Sequence, residues 1–157
     1  MVNEYLDPAV FTAGTIGPPG QRVFYLQAGD NGAVSSVRLE KQQVIALAEY
    51  QAGMLHDLPA PSDVPPAPEL IEPVVAEWTV GNIGVAYDND LDRIIIVAEE
   101  LVAEDEPEGE SLRVVLSRAQ VRAFIERAEE LMAGGRPPCR VCGAPMDPGG
   151  HACPRAN

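Results

Sequence analysis

The chain reads as an α+β protein: two βββα units in tandem, forming two antiparallel three-stranded sheets or one six-stranded sheet with two helices, and ending in a short zinc-knuckle-like tail. Three observations predict this. Residues 39–55 (LEKQQVIALAEYQAGML) and 116–132 (LSRAQVRAFIERAEELM), 77 positions apart, each carry apolar side chains at the spacing of one helical face. The stripes are Val44, Leu47, Ala48, Met54 and Leu55, and then Val121, Phe124, Ile125, Ala128, Leu131 and Met132, with Gln51 standing where the second stripe has Ala128. Strand-like sequence precedes both segments, so each helix has a sheet on which to bury its stripe. Third, all three cysteines fall in the last 19 residues, the mark of a local metal site and not of disulfides distributed through a fold.

In chain order, residues 9–17 (AVFTAGTIG) form a first strand, ended by Gly17-Pro18-Pro19-Gly20. Residues 22–28 (RVFYLQA) are aromatic and β-branched, as a buried strand requires. Gly29-Asp30-Asn31-Gly32 supplies hairpin chemistry and returns the chain through residues 33–39 as a third strand. The first helix covers about residues 40–58 and closes a first unit at residues 1–58. Residues 59–73 hold six prolines in fifteen positions; each fixes φ and removes an amide donor, so this segment is a stiff linker. The second unit, residues 74–135, replays the first. WTVGNIG (78–84) lies over FTAGTIG (11–17) at an offset of 67, residues 94–98 over 24–28 at 70, and Leu116 over Leu39 at 77. The offset grows where hairpin loops belong. The largest insertion, residues 99–110, is acidic at seven of its twelve positions and reads as a solvated surface loop. Ser117-x-x-Gln120 is a capping-box pattern for the second helix, and Gly134-Gly135 ends it.

Net charge is −13, divided between −16 over the first 112 residues and +3 from Arg113 onward. An acidic body argues against generic binding to nucleic acid or an anionic membrane. No apolar run reaches the length of a membrane span, and residues 1–8 lack the basic and apolar regions of a signal peptide, so the expected location is the cytoplasm.

The chemistry concentrates in the tail, residues 136–157. Cys139-x-x-Cys142-Gly places two sulfurs on one turn, and His151-x-Cys153 offers two more donors after a turn-rich spacer of eight residues. Tetrahedral zinc takes four such ligands, and four protein ligands leave no open position for water, so the expected site is structural Zn2+ held by Cys139, Cys142, His151 and Cys153, with Asp147 as the alternative to His151. A redox C-x-x-C would open a helix, whereas here Pro145 and Pro148 follow. Asp88-Asn89-Asp90-Leu91-Asp92 looks like the opening of a calcium loop, but Arg93 fills the position where the sharp turn wants Gly, so these residues read as a hairpin turn. Gly14-x-x-Gly17 lacks the helix that a phosphate cradle needs behind it; its recurrence as Gly81-x-x-Gly84 points to bulges or close backbone approach. With only His56 and His151 available, no Ser/His/acid set exists.

The stretches FTAGTIGPPGQRVFYLQA, VRLEKQQV, LSRAQVRAFIERA and, most specifically, GRPPCRVCGAPMDPGGHACPRAN resemble an uncharacterised actinobacterial family, the domain of unknown function numbered 3090. The resemblance supports the four tail ligands as a unit and implies no activity. The residues lead to a non-catalytic binding or assembly module whose protein partner meets Arg136, Arg140 and Arg155. Two other readings stand beside it. One is an enzyme acting on a phosphorylated or acidic small molecule through Arg22, Glu40, Lys41 or Gln43 in a cleft between the repeats; the other is a zinc-dependent nucleic-acid reader in the tail.

Overall fold

Two stretches rich in β-branched and aromatic residues, each followed by a helical stripe, set the order of elements. The structure, a computed structural model, describes residues 2–133 apart from 19 and 31. Nine elements follow one another: β1 (Val2–Leu6), β2 (Val10–Ile16), β3 (Val23–Asp30), β4 (Ala33–Leu39), α1 (Lys41–His56), β5 (Val80–Asp88), β6 (Arg93–Glu100), β7 (Ser111–Leu116) and α2 (Arg118–Ala133). The α+β class and both helices agree with expectation, and the helices begin and end 77 residues apart.

The sheets differ from expectation in one strand. β2, β3 and β4 form an antiparallel three-stranded sheet, but the other sheet has four strands in the order β1-β7-β6-β5. The added strand, β1, runs parallel to β7, with Leu6 opposite Val115. Its sequence, VNEYL, alternates without an apolar face because its inward side chains are polar-tipped: Asn3 Nδ2 donates to Ser35 Oγ at 3.3 Å, and the Tyr5 hydroxyl lies 2.8 Å from the same oxygen. A strand specified by a partner more than 100 residues downstream leaves no local periodic signal. Residues 77–79 do something comparable beside β4. Glu77 N–H donates to Ser36 O at 2.9 Å, Arg38 N–H donates to Trp78 O at 3.0 Å, and Arg38 pairs in parallel with Thr79.

β5 also departs from the expected residues 78–84. It starts at Val80, with an irregularity of register between Val80 and Asn82 that leaves Gly81 as the extra residue of a bulge. It then continues to Asp88 because Ile83, Val85 and Tyr87 alternate inward against Ala98, Ile96 and Ile94. Pairing register therefore puts Ile83 opposite Ala98, as it puts Phe11 opposite Ala28. By this register Ile83, and not Trp78, is the position that corresponds to Phe11. β6 reaches Glu100, so the acidic insertion begins at Leu101.

One hydrophobic cluster joins both sheets and both helices. The helices touch one another, and each also packs on the first strand of the opposite sheet: α2 on β2 and α1 on β5. Phe124 of α2, wholly buried, stacks its ring against Phe11 of β2 with centroids 4.8 Å apart. Removing a ring so placed typically costs 3–5 kcal/mol. Residues 59–73 do more than span the gap between the units. They lie on the outer face of the three-stranded sheet, which is why β2 is buried on both faces through Gly14 whereas β5 alternates between half-buried and exposed.

Candidate functional site

The feature these elements build is a pair of grooves, each between one helix and the edge strand it covers. In the first, between α2 and β2, the chain's own proline-rich segment is seated: Pro65, Pro66, Ala67 and Pro68 line it together with Phe11, Gln120 and Ala123. Polar groups hold the segment along its course. The Arg118 guanidinium donates to Pro59 O, and the Thr12 hydroxyl donates to Pro68 O at 2.6 Å. Gln27, buried in β3, reads the backbone of Ile71 from both sides: its Nε2 donates to Ile71 O at 3.0 Å and its Oε1 accepts the Ile71 N–H at 2.8 Å. Leu70 sits over Gly14, where an added Cβ would come within 2.5 Å of the leucine side chain. Close approach was the expected role of Gly14. Residues 61–70 turn one side chain in three toward the protein, with Pro61, Val64, Ala67 and Leu70 half-buried and the others exposed. That is the period of a polyproline II helix.

The second groove, between α1 and β5, encloses about 420 Å3 and is lined by Gln43, Ala46, Leu47, Tyr50 and residues 81–85. Tyr50, 65% exposed, is its aromatic rim. The glutamine at the head of each groove has a double task. Gln43 Oε1 accepts the Glu40 N–H at 2.7 Å, capping α1, while its Nε2 donates to Val80 O at 3.1 Å and Gly81 O at 3.3 Å. Gln120 Oε1 accepts the Ser117 N–H at 2.9 Å, the expected capping box, while its Nε2 donates to Pro8 O at 2.7 Å. Each therefore ties its helix start to the chain entering the other sheet.

The residues proposed for small-molecule chemistry divide. Register from Phe24 opposite Leu39 brings Arg22 to the end of the sheet where Glu40, Lys41 and Gln43 start α1, but the Gln43 amide is committed to backbone on both sides. The seam between the helices is apolar, lined by Ile45, Ala48, Ile125, Ala128 and Met132. A titratable group that sequence did not single out sits at the β5–β6 turn. Tyr87 Oη donates to Asp92 Oδ1 at 2.6 Å, and Arg118 pairs with Asp92 Oδ2 at 3.0 Å. The tyrosine hydrogen bond, followed by the Arg118 charge, holds the Asp92 carboxyl below the ordinary range against an opposing contribution from desolvation; the same hydrogen bond raises the Tyr87 phenol. As expected, 88–92 is a turn: Asp88 Oδ1 accepts the N–H groups of Asp90 and Leu91 at 2.9 and 3.1 Å.

Cys139, Cys142, Asp147, His151 and Cys153 lie outside the described residues, as do Arg136, Arg140 and Arg155. Among the described residues no cluster of histidine, cysteine and carboxylate side chains could hold a metal, and no helix is long and apolar enough to cross a membrane. Missed by sequence reading were the anchors Thr12 and Gln27; the signal that could have found the seat was the three-residue spacing of Pro61, Val64, Ala67 and Leu70.

The class so defined is a two-sheet α+β protein with helices crossing onto opposite sheets and an internal proline-rich segment bound in one of two grooves. The chain belongs to the family described as a protein of unknown function (DUF3090), whose model matches residues 3–153. No curated protein and no solved structure matches it.

Proposed function

We propose that this chain is a cytoplasmic, non-catalytic binding and assembly module, built by duplication of one βββα unit and carrying a structural zinc in its tail. The observation that carries the binding reading is the seat of residues 59–71: edge strand, helix and the Gln27 amide together grip an extended proline-containing segment through its backbone. The duplication is supported by correspondences of contact as well as of sequence. Gln43 and Gln120, 77 positions apart, reach the carbonyls of Val80 and Pro8, themselves 72 apart, the same separation as Ile83 and Phe11. Arg38 pairs in parallel with Thr79, and Val115, 77 positions on, pairs in parallel with Leu6. The zinc reading rests on the donor set Cys139, Cys142, His151 and Cys153, with Asp147 as alternative to His151. Closed by four ligands, such a site would fix Arg136, Arg140 and Arg155 as a basic surface for an acidic protein partner.

Elemental mass analysis of the purified, untagged protein beside Cys139→Ser tests this reading. One zinc per chain, lost in the variant while the body stays folded, is the expected result. A metal-free protein with reactive Cys139 and Cys142 thiols would overturn the structural site in favour of thiol exchange.

A further inference from the structure

The linker and the tail are themselves a repeat, at the helix offset of 77. Residues 61–68 read PSDVPPAP and residues 138–145 read PCRVCGAP, so Pro, Val, Ala and Pro recur at Pro61/Pro138, Val64/Val141, Ala67/Ala144 and Pro68/Pro145. Both segments start five residues after the last residue of their helix, His56 or Ala133. Three of the four recurring positions, Pro61, Val64 and Ala67, are the half-buried ones, the side chains that the linker turns toward the body. The counterparts of exposed Ser62 and Pro65 are Cys139 and Cys142.

We infer that Pro138 to Pro145 dock in the groove between α1 and β5, as Pro61 to Pro68 lie along the groove between α2 and β2. The two grooves correspond residue by residue, Gln43 to Gln120, Ala46 to Ala123 and Ile83 to Phe11. Tyr50 supplies the exposed aromatic face on which proline rings pack. In an extended helix of three residues per turn, Val141 and Ala144 face the groove while Cys139 and Cys142 share the outward edge, three positions apart, where both thiolates are free to bind a metal. The polar anchors are not repeated, because Gly84 and Val97 stand where the first sheet has Thr12 and Gln27. The seat is thus apolar, and it ends at Pro145: Asp147 replaces Leu70, whose counterpart site on the sheet is Ala86. The docking rests on the duplication and not on the metal.

The test is tryptic cleavage after Arg140 in the full chain, with cleavage after Arg155 as an internal reference, for the wild type, Ala46→Glu and Tyr50→Ala. Both positions are exposed, so the variants leave the core intact. Docking predicts cleavage after Arg140 accelerated on the order of tenfold in each variant, with Arg155 unchanged, because cleavage follows the population of the open form. Equal rates at Arg140 in all three proteins would overturn it. Protection that rises with protein concentration and accompanies dimers would also overturn it, giving the groove to the tail of a second copy. Metal content read on the same samples separates this outcome from the zinc reading, since either can fail while the other stands.

Discussion

At the scale of single residues, two polar groups make opposite demands on the fold. Gln51 is wholly buried on α1, and neither its Oε1 nor its Nε2 has a hydrogen-bond partner. A buried polar group left unmade costs about 1–3 kcal/mol, so Gln51→Leu is expected to raise the free energy of unfolding by about 1 kcal/mol, read as a higher midpoint in denaturant. A lower midpoint would mean that the amide does have a partner. Asp92, by contrast, is held charged by Tyr87 and Arg118 at a backbone φ of 53°, a conformation that Asn tolerates nearly as well as Asp. Because its folded pKa is depressed, its contribution is present above the ordinary carboxylate pKa of about 4 and is lost as pH falls through the folded value. Tyr87 has the raised pKa, so its contribution is complete below about 10 and disappears as pH climbs through the folded value. Asp92→Asn should therefore flatten thermal stability against pH at both ends, and an unchanged acid limb would show that the carboxylate is not a stabilising charge. Neither group betrays its surroundings in sequence: Gln51 was visible only as an irregular member of an apolar stripe, and the Asp92 cluster joins residues from two turns.

At the scale of elements, the strongest sequence signals were those with a period. The two helices, the strands β2 to β4 and the capping box at Ser117 and Gln120 were legible, because each follows from alternation or from a local donor and acceptor. β1 was not, and the start of β5 was misplaced, because Gly81 forms a bulge that shifts the register at a point where the motif GxxG invited a direct match with Gly14 and Gly17. The glutamines show why caps alone underestimate their residues. Gln120→Ala removes both the cap and the bond to Pro8 O, and it is expected to cost about 1–2 kcal/mol, more than the half to one that a cap commonly contributes. Gln43→Ala should cost a similar amount. A loss of only a few tenths in chemical denaturation would mean that the strand contacts contribute nothing.

At the scale of the whole molecule, the linker behaves as part of the structure. Gly14→Val would drive Leu70 from its seat, and Thr12→Val would leave Pro68 O without its donor. Both are expected to speed proteolysis within residues 59–71 before they affect the core, as local opening precedes global unfolding; cleavage no faster than wild type would mean that the segment is held elsewhere. The site was less legible than the fold for a physical reason. A proline-rich stretch advertises what it cannot be, neither helix nor central strand, and its binding partners, Thr12 and Gln27, lie 44 or more residues away in sequence. The parallel pairing of β1 with β7 has a further consequence for synthesis. The ribosome delivers Val2 to Leu6 first, but their partner, Ser111 to Leu116, emerges last but for α2 and the tail. β2 to β4 can pair while translation continues, whereas β1 must wait until most of the message has been read. The earliest residues made are among the last to find their place.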